Sequence, residues 1–147
     1  MNRMEIIEMV RQHPAMQLAT VDETGAPHTR GMMLYSIDDK GIVFHTSNQK
    51  DLYQQLIREP RVEVSFFNRD QFVQIRIEGQ AYEIDDDAFR EKIVNTPGRE
   101  FLKPWVAERG LSLIRVFKIE NCVANVWRMN DNFTYPRPRV KFQPSEE

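Results

Sequence analysis

A change of hydrophobic period between Gly41 and Pro60, GIVFHTSNQKDLYQQLIREP, constrains this chain more than any other stretch. Ile42, Val43 and Phe44 are strand formers, whereas Leu52, Tyr53, Leu56 and Ile57 recur at three-to-four spacing and predict one buried helix face. Between them, Thr46, Ser47 and Asn48 offer side-chain oxygens to the first free amides of the helix. Asp51 falls in its first turn, and Pro60 stops it. Hydroxyls, amides, the positive end of a helix dipole and the cation Lys50 converge at this junction, which suits an anion such as a phosphate. An ordinary capped helix with a solvated lysine shows the same local pattern, so the rest of the chain must decide between them.

The remaining segments read mostly as strands. Arg3 to Gln12 predicts a short helix, with Met4, Ile7 and Val10 three apart and Ile6 and Met9 widening the stripe; His13-Pro14 ends it. Met16 to Val21 is a strand, Asp22 to Gly25 a hairpin turn, His28 to Ile37 a long return strand, and Asp38 to Gly41 a second hairpin turn. After Pro60, Val62, Val64 and Phe66 alternate with Glu63, Ser65 and Phe67, and Asn68 to Asp70 turns the chain back. Phe72 to Ile84 is the longest extended run, and Gly79 inside it predicts a bulge or a barrel corner.

A helix follows from Asp85, with Phe89, Ile93 and Val94 as apolar contacts. A second helical piece, about Glu100 to Glu108, carries Phe101, Leu102, Trp105 and Val106, with Pro104 as an irregularity. Leu113 to Ile119 and Cys122 to Trp127 form a final pair of strands. Residues 129–147, with three prolines between positions 136 and 144, are an extended or disordered tail after a domain covering 1–128. Six or seven strands joined mostly by hairpins suggest a small antiparallel barrel, because closure removes exposed edges.

Composition narrows the function. A length of 147 residues fits one domain with a real core, and 41% apolar with 29% charged residues is ordinary for a soluble globular protein. A net charge of −2 and the absence of a basic stripe interleaved with aromatics argue against nucleic-acid binding. One cysteine, Cys122, excludes an intrachain disulfide. No membrane span or secretion signal is read, so a cytoplasmic location is expected. His13, His28 and His45 lack ligand-like spacing, and no metal site is expected.

Three stretches then carry a resemblance. Pro27-His28-Thr29-Arg30-Gly31-Met32-Met33-Leu34, His45-Thr46 followed by Gln49-Lys50, and Gln74-Ile75-Arg76-Ile77-Glu78-Gly79 occur in the order and at the separations of the FMN-binding split-barrel family, which includes pyridoxamine 5'-phosphate oxidase. The likeness covers about Met4 to Trp127. It implies a mainly β fold, a six- to seven-stranded antiparallel split barrel of Greek-key type with short flanking helices. It also implies an FMN site comprising Arg30, Gly31, Met32, His45, Thr46, Ser47, Gln49, Lys50, Gln74, Trp127 and Arg137, in a groove between the subunits of a homodimer. Arg30 and Lys50 are expected on adjacent antiparallel strands, both reaching the phosphate.

The resemblance implies an FMN-dependent oxidoreductase acting on a small molecule, with NADH or NADPH as a candidate reductant. No side chain is an evident acid or base, though Tyr35, His45 and Trp127 are candidates to line the substrate pocket. Tyr35 stands where the family's oxidases carry a lysine, the turn before Lys50 is shorter than theirs, and their substrate-binding arginine and histidine after Trp127 are absent. Pyridoxamine phosphate is therefore not the expected substrate. A non-catalytic flavin store or sensor is an alternative. So is a haem-binding or haem-degrading relative, with His45 or His28 as axial ligand. A deazaflavin is disfavoured, since its acidic tail calls for more clustered cations.

Overall fold

The computed structural model describes residues 1–143. The proline at position 144 and the three residues after it, part of the expected tail, lie outside the described residues. Helix α1, Arg3–Gln12, starts where Asn2 and Glu5 close a reciprocal capping box, and it buries Ile6, Ile7 and Val10. Met4, expected on that face, is exposed. Strands β1, Ala15–Val21, and β2, Pro27–Met33, form the first hairpin.

The long return strand expected from His28 to Ile37 breaks at Leu34-Tyr35. The Leu34 amide turns to the Pro14 carbonyl and the Tyr35 amide to that of Val43, and β3, Ser36–Asp38, leaves to pair with β4, Gly41–Ser47. Helix α2, Asp51–Arg58, precedes β5, Arg61–Asn68, and β6, Val73–Ile84. In α2 the buried face is Leu52, Gln55 and Leu56. Ile57 is exposed, because Gln55 turns inward to accept a 2.5 Å hydrogen bond from Thr20.

Helices α3, Asp87–Val94, and α4, Lys103–Arg109, make the excursion before the last long strand. Asp86 caps α3 by accepting from the Ala88 and Phe89 amides. A short turn at Glu100–Leu102 leads into α4, whose Pro104 sits in the first turn, where no amide is needed. Arg90 is only 3% exposed; its guanidinium donates to the Ile114 carbonyl at 2.8 Å and to Asp85 and Asp87 at 2.7 and 2.9 Å.

The two strands expected at the end are one, β7, Ile114–Arg128, which bends at Asn121 opposite Gly79. The register slips there between Glu78 and Gln80, as the glycine predicted. A Cβ at Gly79 would stand 2.6 Å from the Glu120 carbonyl oxygen. The tail is an ordered arm up to residue 143. Arg139–Lys141 forms β8 against β7, and Phe142 is buried.

The result is an eight-stranded antiparallel sheet ordered β2-β1-β5-β6-β7-β4-β3, with β8 on β7. Ile6, Leu18, Ile42, Phe44, Leu56, Val64, Ile75, Ile77 and Phe117 fill its interior. A second apolar cluster, Ile93, Val94, Leu102, Ile114 and Val116, ties the excursion to β7. Cys122 is buried, and that burial pushes its thiol up to about 12. The sheet is not closed: its hydrogen-bonded path ends at β2 and β3. Thus β2 and β4 are not paired neighbours, and the expected adjacency of the strands carrying Arg30 and leading to Lys50 is corrected.

Candidate functional site

The open path makes the site. Strand β3 covers β4 only at Gly41–Val43, so among the described residues the Phe44 to Ser47 part of that edge has no strand partner, and neither has the outer edge of β2. Along this seam lies a cleft of about 950 Å³, at the upper end of the usual range for small-molecule sites. Ala15, Met16 and Gln17 of β1, Gly31, Met32 and Met33 of β2, and His45, Thr46 and Ser47 of β4 line it. Gln49 and Lys50 stand at the amino end of α2, and Gly98, Arg99, Phe101, Leu102, Trp105 and Arg109 form the facing wall. Seven expected site residues therefore meet here: Gly31, Met32, His45, Thr46, Ser47, Gln49 and Lys50.

The α2 terminus differs from expectation in an informative way. Thr46, Ser47 and Asn48 do not cap it. Ser47 accepts from the Gln49 amide at 3.3 Å, Asn48 donates to the Ser112 carbonyl, and the preceding residue, Lys50, makes no side-chain cap. The Tyr53 amide bonds to the Lys50 carbonyl, and with no side-chain cap the Asp51 and Leu52 amides and the helix dipole are left for another acceptor. Thr46 is 5% exposed, and its hydroxyl has no hydrogen-bond partner among the described residues. Burial, then the Arg99 and Lys50 cations, push the His45 imidazole down to about 4, so the ring is neutral at pH 7. An uncapped helix end, an orphan hydroxyl, a lysine and a neutral imidazole together suit a phosphate ester.

Arg30 approaches the same helix from outside the cleft lining. Its guanidinium donates to Thr20 at 2.7 Å, to Gln55 at 3.1 Å and to the Leu18 carbonyl at 3.2 Å. Burial lowers its pKa, and the nearby Asp51 carboxylate opposes that shift. The cation therefore braces β1, β2 and α2 within electrostatic reach of the α2 amino end. Of the two histidines considered as axial ligands, only His45 lines the cleft; His28 lies 2.8 Å from Asp22 at the first hairpin.

Gln74, Trp127 and Arg137 gather elsewhere. Gln74 pairs across the sheet with Trp127 and donates to Ser65 at 2.9 Å. Arg137 bonds to the Val126 carbonyl and to Asp131. Beside them Phe67, Phe72 and Trp127 stack edge-on in series, with centroids 5.2 and 5.8 Å apart. Phe72 holds a left-handed backbone, φ 56°, a strain of about 1–3 kcal/mol of the kind that collects at functional surfaces.

The sequence reading missed the excursion wall. It placed Phe101 and Trp105 on a helical piece and gave them no site role; they are 53% and 52% exposed, in edge contact at 6.0 Å, and face the cleft with Arg99 and Arg109. The available signal was an aromatic pair four apart flanked by two arginines. Tyr35, expected in the pocket, lies behind this wall: its hydroxyl is 2.9 Å from that of Thr96, and its ring sits under Arg99 at 5.7 Å.

The family model described as pyridoxamine 5'-phosphate oxidase matches residues 3–126, and the chain belongs to that family. It is 33% identical over 99 residues to a pyridoxine/pyridoxamine 5'-phosphate oxidase of Chromohalobacter salexigens, covering 67% of this chain and 46% of that one. The chain spans about half the length of the curated relatives it matches. A nimC/nimA family protein of Clostridium acetobutylicum superposes with a TM-score of 0.73 at 17% identity, covering 95% of this chain and 92% of its own. A pyridoxamine 5'-phosphate oxidase-related, FMN-binding protein of Nostoc punctiforme gives 0.64 at 16% identity, covering 93% and 87%. These likenesses establish the split-barrel fold.

Proposed function

We propose that the seam cleft binds FMN and that the protein is an FMN-dependent oxidoreductase acting on a small molecule. The observation that carries this reading is the uncapped α2 terminus, with Lys50 and the orphan Thr46 hydroxyl at one end of a cleft in a chain of this family. Lys50, the Thr46 and Ser47 hydroxyls and the α2 amides would hold the phosphate, with Arg30 adding positive potential from behind the helix. Gly31 and Met32 would flank the ring, and the neutral His45 would offer it a hydrogen bond. The bound flavin would supply the redox chemistry, while the protein orients it and shields it from water.

The second group of candidates supports a homodimer. Gln74, Trp127, Arg137 and the aromatic series around Phe72 lie outside the cleft of their own chain, so completing one site with all these residues takes a second copy. Sedimentation should show a dimer that Phe67→Glu dissociates. The visible spectrum of the purified protein, with mass identification of any yellow compound released on denaturation, tests the cofactor. Reduction of that flavin by NADH or NADPH tests turnover, and bound flavin that neither reduces would favour a store or sensor.

A further inference from the structure

We propose that the excursion wall of the cleft selects planar carboxylates, with Arg99 as the anchoring cation and the rings of Phe101 and Trp105 as the surface that takes the plane. The proposal deepens the flavin reading, since it assigns the part of the cleft that the phosphate-binding end leaves over. Charge is the first argument. Among the described residues, Lys50, Arg99 and Arg109 line the cleft and no aspartate or glutamate does, in a chain whose net charge is −2. Burial is the main cause of the depressed His45 pKa, and the Arg99 and Lys50 cations add to it in the same direction. Such a lining favours anions and disfavours cations.

The second argument is how Arg99 is mounted. One terminal nitrogen donates to the Leu34 carbonyl at 2.9 Å, and the guanidinium rests on Tyr35, which is itself fixed by Thr96. Its Nε is buried with no hydrogen-bond partner among the described residues. A pre-positioned planar fork with an unspent buried donor suits a planar acceptor, and a carboxylate matches it in geometry and charge. The third argument is the exposed aromatic pair. Two large rings held edge to face beside that fork lose water when a flat ligand covers them. Arg109, exposed at the end of α4, steers the anion in and is screened by salt.

The test titrates the flavin-loaded protein with naphthoate, naphthamide and naphthyl phosphate by calorimetry. Naphthoate should bind at least about tenfold tighter than the isosteric neutral amide. Arg99→Ala should erase that preference, and Arg99→Lys, which keeps the charge, should restore part of it. Arg109→Ala, which keeps the Arg99 mount intact, should slow naphthoate association at low salt. Equal binding of acid and amide, an acid preference that survives Arg99→Ala, or preference for the phosphate ester would each overturn the proposal. If the protein takes up no FMN yet keeps the acid preference, the flavin reading fails and this one stands; FMN uptake without an acid preference gives the reverse.

Discussion

Lys50→Ala separates the phosphate-binding end of the cleft from the rest of the molecule. Lys50 is exposed and makes no capping bond, so its removal should change folding stability by less than about 0.5 kcal/mol. A charge-assisted hydrogen bond is worth about 1.5–3 kcal/mol, which corresponds to roughly 10- to 150-fold in affinity for a ligand that carries the phosphate. Riboflavin lacks that group and should bind the variant and the parent alike. The assay is quenching of flavin fluorescence on titration into flavin-free protein, with FMN and riboflavin run on both proteins. The reading is refuted if FMN binding is unchanged, or if both flavins weaken equally, since the lysine would then act on the ring or the fold.

Other consequences follow from the same geometry. Arg30→Ala removes donors to Thr20, Gln55 and the Leu18 carbonyl, and should lower the free energy of unfolding in urea by about 2–4 kcal/mol. His45 stays neutral in the folded protein down to about pH 4, whereas in the unfolded chain it takes a proton near 6.5. Its contribution to stability is therefore intact above pH 6.5 and lost as pH falls from there towards 4, by about 3 kcal/mol at most. The difference between parent and His45→Gln unfolding curves across that window should show it. Gly79→Ala drives a Cβ into the Glu120 carbonyl and should lower the melting temperature by about 5 °C. Gly31→Ala, which meets only the end of the Gln17 side chain at 3.4 Å, should leave it nearly unchanged.

What could be read from the sequence was what is decided locally. The end of α1 at His13-Pro14, the start of α3 at Asp86 and the bulge at Gly79 are set by residues at those very positions. The break between β2 and β3 is not, because Leu34 and Tyr35 suit a strand, and only the distant carbonyls of Pro14 and Val43 pull their amides apart. The face of α2 rotated for a similar reason. Gln55 is drawn in by Thr20 and Arg30, partners that no spacing rule can see, and Ile57 is turned out. Half of the cleft was legible because strand end, turn and helix start are contiguous in the chain. Its other wall comes from an excursion that folds back across about fifty residues of sequence, and periodicity places Phe101 and Trp105 on a helix without saying which surface they face.

Arg90 gives that wall its mooring. The residue does not itself line the cleft, yet it fastens α3 to the carbonyl of the lining residue Ile114 at the root of β7, and the segment bearing Arg99 and Trp105 follows α3 in the chain. If the wall selects ligands as proposed, discrimination among them would be partly decided by a guanidinium that is itself sealed from solvent. Drift at position 90 would retune what the protein accepts while every lining residue stayed the same, and relatives compared by their pocket residues alone would look alike while differing in taste.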